Sequence, residues 1–249
     1  YNYILNMFII IAIVICMLIP IIYYYYYNNH YFETFVNVNQ PDNMLPDLYY
    51  INLKHRTDRK KHILEQLSMI DYPKTKIHRI NATKNIDGAT GCGLSHIKAL
   101  TLAKNTQHKQ QYIIILEDDY KWTYDKDKTM NILTNALNQK VDWNVILLSC
   151  NGYTDKYNDY LDKVTSCQTT SGYIIKTNYI DTLIKLWDKD MKYRLQYHIS
   201  NKSKEYTPTC IDQSWKKLQH DQWFITNPKL GLQIGSYSDI EGSNVNYMV

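Results

Sequence analysis

Residues 112–120, YIIILEDDY, constrain the fold of this chain more than any other stretch. Tyr112 and four aliphatic residues run without alternation into Glu117, Asp118 and Asp119. A short, β-branched run that never alternates predicts a strand buried on both faces, as in a parallel sheet covered by helices. Ionised carboxylates cost several kcal/mol to desolvate unless they are paired, so three in a row at the end of such a strand require a cation nearby. In open α/β sheets, ligands collect beyond the carboxyl ends of the strands. Acids placed there can hold a divalent ion through hard oxygen ligands, and the ion can grip a diphosphate. Read without a ligand, the same residues form a solvated, acidic strand-to-loop edge.

The flanking segments alternate between strand and helix. Residues 48–53 (LYYINL) predict a buried strand, followed by the polar turn KHRTDRKK and by Ile63, Leu64, Leu67 and Ile70 at helical spacing, with Thr57 or Asp58 as the cap. Arg56 and Arg59 in that turn either meet phosphate or ribose or belong to a solvated helix start. Residues 76–82 predict a second strand. Gly91-Cys92-Gly93-Leu94-Ser95-His96 then opens a helix continued by Ile97, Leu100 and Ala103. Paired glycines there let the backbone approach a ligand, and a helix N-terminus attracts anions. His96 is either a site residue or a structural hydrogen-bonder. Cys92, with no basic neighbour in sequence, reads as packing and not as a nucleophile.

Further on, residues 130–137 predict a helix, and 143–148 and 172–175 predict buried strands. Ile180, Leu183, Ile184 and Trp187 form an apolar helical stripe. Residues 188–206 are strongly charged and read as a surface insertion or acceptor-side loop. Residues 211–218 predict a short helix whose Asp212 lies where a cap would, and the tail is turn-rich. Strands alternating with helices predict an α/β fold built on a mostly parallel sheet.

Ahead of this body, residues 3–22 carry no charge and one polar side chain, Asn6. As a helix they would span about 30 Å, the thickness of a bilayer's hydrocarbon core. The aromatic cluster at 23–27 suits the headgroup interface, and the apolar run is too long for a cleaved signal peptide. The expected organisation is therefore a single-pass membrane anchor over 1–27, a stem over 28–47 and one domain over 48–249. No Lys or Arg precedes Lys54, so the orientation of the anchor is unread. A net charge of +4 is too mild to argue for a nucleic-acid partner. Cys92, Cys150, Cys167 and Cys210 lack zinc-finger spacing, and they can form two disulfides or remain buried thiols.

Seven of these segments, in order, match landmarks of one family: YYINLKHRTDR (49–59), RINA (79–82), GCGLSH (91–96), ILEDD (115–119), TSGYII (170–175), IDQSW (211–215) and SDI (238–240). In these the chain resembles glycosyltransferase family 25, the lipooligosaccharide and procollagen galactosyltransferase group. Its Tyr- and Asn-rich composition resembles giant-virus members of that group. The resemblance implies a GT-A-type, Rossmann-like domain that binds a UDP-sugar at one sheet edge with Mn2+ or Mg2+. It implies Asp119 as metal ligand together with Glu117, and Asp118 or Glu117 reaching the ribose or sugar. Asn52, Arg56, Arg59 and His96 would form the nucleotide side. Asp212 would be the base that takes the acceptor's proton, with Asp239 as the alternative. Galactose is the family's default sugar and glucose an alternative. The acceptor would be a glycan, a lipid-linked glycan or a protein, at a membrane that could be the host's or a virion's if the source is viral. Two other classes remain open: a catalytically silent nucleotide-sugar-binding module, and a metal-dependent phosphoesterase, which would need more converging acids or histidines.

Overall fold

A computed structural model describes residues 18–20, 45–106, 110–197, 208–238 and 243–245. The chain divides into two compact units, Tyr1–Leu45 and Pro46–Val249. Of the first unit, 18–20 are helical and exposed. Among the described residues no helix is long and apolar enough to cross a membrane; the expected anchor and stem fall almost wholly outside them.

Among the described residues the second unit is built on an 8-stranded sheet of β1 (Leu48–Asn52), β2 (Ile77–Asn81), β3 (Tyr112–Glu117), β5 (Val145–Leu147), β6 (Asn151–Lys156), β7 (Leu161–Gln168), β8 (Gly172–Lys176) and β9 (Trp223–Thr226). Their order across the sheet is β2-β1-β3-β8-β5-β9-β7-β6. β1 is parallel to β2 and β3, and β5 is parallel to β9, while β8 and β7 are antiparallel to their neighbours. The sheet is thus mixed, with β7 and β8 running against the rest. β4 (Tyr120–Trp122) pairs with β10 (Gly231–Gln233) in a small ribbon beside it, and β11 (Ser236–Ser238) pairs with β12 (Ser243–Val245).

Helices cover both faces, which is why the strands lack polar alternation. α2 (Gly88–Asn105) and α4 (Ile180–Gln196) bury Leu100, Ala103, Leu183 and Trp187 in one cluster with Tyr49, Ile51, Ile113 and Ile115. Successive strand residues face opposite sides, and Leu48, Tyr50, Ile114 and Leu116 are equally buried outside that cluster. So are Ile63 and Leu67 of α1 (Thr57–Met69) and Ile132 and Leu133 of α3 (Lys126–Leu137).

Several sequence expectations are corrected. α2 starts at Gly88, not at Gly91, because Asp87 caps it by accepting from the Thr90 backbone N–H. Of residues 188–206, expected to be a surface insertion or acceptor-side loop, 198–206 lie outside the described residues and 188–196 are the second half of α4. Trp187, Asp190, Met191 and Arg194 continue its buried face, and Arg194 can be buried there because it pairs with Asp87. The segment 211–218 is a turn of α-helix, α5 (Ile211–Ser214), followed by a 3₁₀ turn. The hairpin β6–β7 carried no apolar signal because β6 is an edge strand with mostly exposed side chains. Cys150 and Cys167 form a disulfide, while Cys92 and Cys210 are free thiols.

Candidate functional site

The parallel strands β1 and β3 end together, and a cleft opens beyond their carboxyl ends, where open α/β sheets receive ligands. It is lined by Leu53 and His55 after β1, Arg59 of α1, residues 82–85 after β2, Gly91, Cys92, Ser95 and His96 of α2, the acids 117–119 and Gln233 of β10. Backbone pairing fixes the acids: the Glu117 N–H donates to the Ser171 carbonyl (2.8 Å), and the Ile234 N–H donates to the Asp119 carbonyl (3.0 Å). Tyr120 follows them into the core, its ring so close to Gly172 and Gly231 that a Cβ at either would collide with it.

Each acid has its own surroundings. Glu117 Oε1 accepts from Thr170 Oγ1 (2.7 Å) and lies 3.3 Å from His96 Nε2. Burial pushes the Glu117 carboxyl up, but the His96 and Thr170 contacts outweigh it and hold the group below its ordinary value. Asp118 accepts from Asn52 Nδ2 (2.7 Å) and from Arg59 (3.2 Å); burial nevertheless leaves its carboxyl raised. Asp119 pairs with Arg59 at 3.0 Å and accepts from Gln233 Nε2 at 3.2 Å. Its second oxygen, Oδ1, is buried with no partner. Burial and the neighbouring Glu117 charge push Asp119 up to about 7. Asp118 and Asp119 therefore share the Arg59 guanidinium, while Glu117 beside them faces buried His96.

The other predicted residues take different places. Asn52 lies beneath the cleft, 1% exposed. Its amide donates to Asp118 and to the Arg56 carbonyl, and its oxygen accepts from Arg79 (2.8 and 3.2 Å). It therefore fixes Asp118. Arg56 is forked onto Asp58 (3.1 and 2.8 Å) and does not line the cleft. Asp212, half-buried on α5, sits near enough to feel the Glu117 charge. Burial raises its carboxyl against a stabilising hydrogen bond from the Thr169 backbone. Asp239 lies outside the described residues.

The two glycines of GCGLSH serve packing within the protein. A Cβ on Gly91 would come within 2.8 Å of the Thr83 carbonyl oxygen, and one on Gly93 would collide with Met191 Sδ on α4. The start of α2 is also closed to anions by the Asp87 carboxylate and its buried Arg194 partner.

Sequence reasoning passed over Thr170, Tyr173 and Gln233. Tyr173 Oη lies 3.1 Å from His96 Nδ1, and its ring packs among Trp187 and Trp215 at 6.5 and 5.8 Å. Thr170 and Tyr173 stand inside the TSGYII landmark, whereas Gln233, in the turn-rich tail, carried no signal.

No protein-family model matches the chain, and no curated protein sequence does. Solved structures it is similar to include A197 from STIV, at 11% identity over 73% of this chain and 81% of that one with a TM-score of 0.37. A glycosyltransferase involved in glycosylation of the major capsid of PBCV-1 is similar at 10% identity over 73% and 81%, TM-score 0.40. The glycosyltransferase GlyE of Streptococcus pneumoniae TIGR4 is similar at 10% identity over 73% of this chain but 45% of that one, TM-score 0.40. Likeness at this level carries no argument about activity.

Proposed function

We propose that this chain is a metal-dependent glycosyltransferase of the GT-A type. In this reading it moves a sugar, galactose by the default of family 25 and glucose alternatively, from a UDP-sugar to a hydroxyl of a glycan, lipid-linked or protein acceptor. The observation that carries the reading is the surplus of negative charge at the end of β3, with the Asp119 Oδ1 atom buried and unpartnered. A carboxyl raised to about 7 is one that a further cation would ionise fully. The residues present fit a hard divalent ion: Asp119 and Glu117 would hold it through oxygen. Bound there, manganese or magnesium supplies compensation for the charge that develops on the leaving diphosphate.

The protein's own groups supply the rest. Arg59 lines the cleft with a planar guanidinium suited to phosphate or ribose oxygens. Asn52 orients Asp118, and His96 with Thr170 orients Glu117. Asp212 takes the proton from the acceptor hydroxyl as its oxygen bonds to the anomeric carbon opposite the departing diphosphate. Its raised carboxyl lies closer to neutrality, as a general base requires. The cleft encloses about 160 Å3, below the roughly 300–1,000 Å3 usual for small-molecule sites, so a nucleotide sugar would lie partly outside it. Membership of family 25, a giant-virus source and an N-terminal membrane anchor belong to the same proposal, supported respectively by the landmarks, the Tyr- and Asn-rich composition and the apolar segment 3–22.

The test is UDP release by the whole chain across a panel of UDP-sugars, with manganese or with chelator. Manganese-dependent release that disappears in a folded Asp119→Ala variant is the expected result and names the donor. If no UDP-sugar binds or turns over with any divalent ion, the reading is wrong.

A further inference from the structure

We propose that Cys92, His96 and Glu117 form a second cation site in this cleft, one that takes a thiophilic divalent ion, zinc by preference. Cys92 and His96 stand four residues apart on α2, one turn along the same helix face. β3 brings Glu117 against them. One ligand atom from each residue, the thiol sulfur, an imidazole nitrogen and a carboxylate oxygen, lies within 4.8 Å of the other two. Zinc bonds of about 2.0–2.3 Å in a tetrahedron place ligand atoms about 3.2–3.8 Å apart. His96 Nε2 and Glu117 Oε1 are at 3.3 Å already, so the Cys92 thiol has about an ångström to close.

The surroundings of these three residues are those of ligands. Tyr173 Oη lies 3.1 Å from the far nitrogen of His96, where it can accept from an Nδ1–H once the ring proton that Nε2 shares with Glu117 in the metal-free chain has moved to Nδ1, leaving the Nε2 lone pair for the metal. Thr170 Oγ1 donates to Glu117 and fixes its carboxylate. Outer contacts of this kind orient metal ligands and raise their affinity. Tyr173 is itself immobilised, fully buried against Trp187 and Trp215. Sulfur and imidazole beside one carboxylate select zinc or a similar borderline ion over magnesium or calcium, which take oxygen. On binding, the S–H bond of Cys92 breaks as the S–Zn bond forms, and that proton leaves to solvent. Three protein ligands leave the fourth position to water or another small ligand. The two sites share Glu117 and so compete for it, but Cys92 belongs to this one alone and Asp119 to the hard-ion site alone, so variants at those two residues separate the readings.

The test uses the whole chain, freed of metal, titrated with zinc and with cobalt. We expect one equivalent of cobalt to produce a near-ultraviolet thiolate-to-cobalt band, with zinc displacing it. Cys92→Ser should lose the band and bind zinc at least about tenfold more weakly. Cys210→Ser, which removes the other free thiol among the described residues, and Asp119→Ala should both keep the band. A measurement on the unaltered protein guards against misfolding: saturating zinc should protect Cys92, but not Cys210, from alkylation mapped by mass spectrometry. The absence of a saturable band, a band that survives Cys92→Ser, or Cys92 alkylation that zinc does not slow would each overturn the proposal.

Discussion

Two buried clusters of aspartate and arginine show how the same residue types do different work. At the start of α2, Asp87 meets Arg194 through Nε (2.9 Å) and Nη2 (2.8 Å), and it also caps the helix. Arg194 reaches on to Thr209 Oγ1 at 2.9 Å. One acid faces one guanidinium there, and the pair ties α4 to α2. At the end of β3, Asp118 and Asp119 share one guanidinium with Glu117 close beside them, and burial and the Glu117 charge drive Asp119 up to about 7. Both clusters contain an oxygen without a partner, Asp87 Oδ1 and Asp119 Oδ1, so an orphaned atom alone does not mark a ligand site. The charge balance does, because a closed pair gains nothing from a further cation whereas a surplus of carboxylates does.

The largest test of that contrast is Arg194→Ala. It should strand a buried carboxylate and cost about 3–5 kcal/mol in urea unfolding, with divalent-ion binding at the other cluster unchanged. A small cost would mean the pair is not structural. Next, Asp119→Asn should lower manganese-dependent UDP release by about 100- to 1,000-fold while the protein stays folded; near-normal turnover would remove the acidic strand end from the chemistry.

The same variant should have the opposite effect on stability. A carboxyl raised from 3.8 to about 7 contributes fully below pH 4, and that contribution is lost as pH rises to 7. Metal-free Asp119→Asn should therefore match the unaltered protein near pH 4 and exceed it by about 4 kcal/mol at pH 8. Equal stability at both pH values would show that the surplus charge is not strained. The smallest effect belongs to the surface. Asp58 is held down to about 2 by Arg56 but is solvent-exposed. Asp58→Ala should change stability at pH 7 by less than about 0.5 kcal/mol, and less again in high salt. A larger loss would make the Arg56–Asp58 fork part of the fold.

The contrast also marks what could be read in the sequence. The acids 117–119 announced themselves because ionised groups directly after a buried strand need explaining. Asp87 and Arg194 did not, because they lie 107 residues apart and each alone resembles a solvated charge. For the same reason residues 188–196 read as a loop: their charges mask a stripe that carries Trp187, Met191 and Arg194 into the core. Gln233 reaches Asp119 from the far end of the chain, across the ribbon that joins β10 to β4.

By itself, the sequence determined the α/β alternation, the buried strands β1, β3, β5 and β8, and the acids at the head of the cleft, since these follow from local runs of apolar residues and their interruption. Tertiary structure alone decided that β7 and β8 run against the other strands. It also decided which cysteines pair and that the glycines of α2 make room for Thr83 and Met191. Above all, it decided how charge is shared among Arg59, His96 and three carboxylates. The reason is that pairing, register and charge balance depend on distances between residues far apart in the chain, and local patterns of hydrophobicity carry no record of those distances.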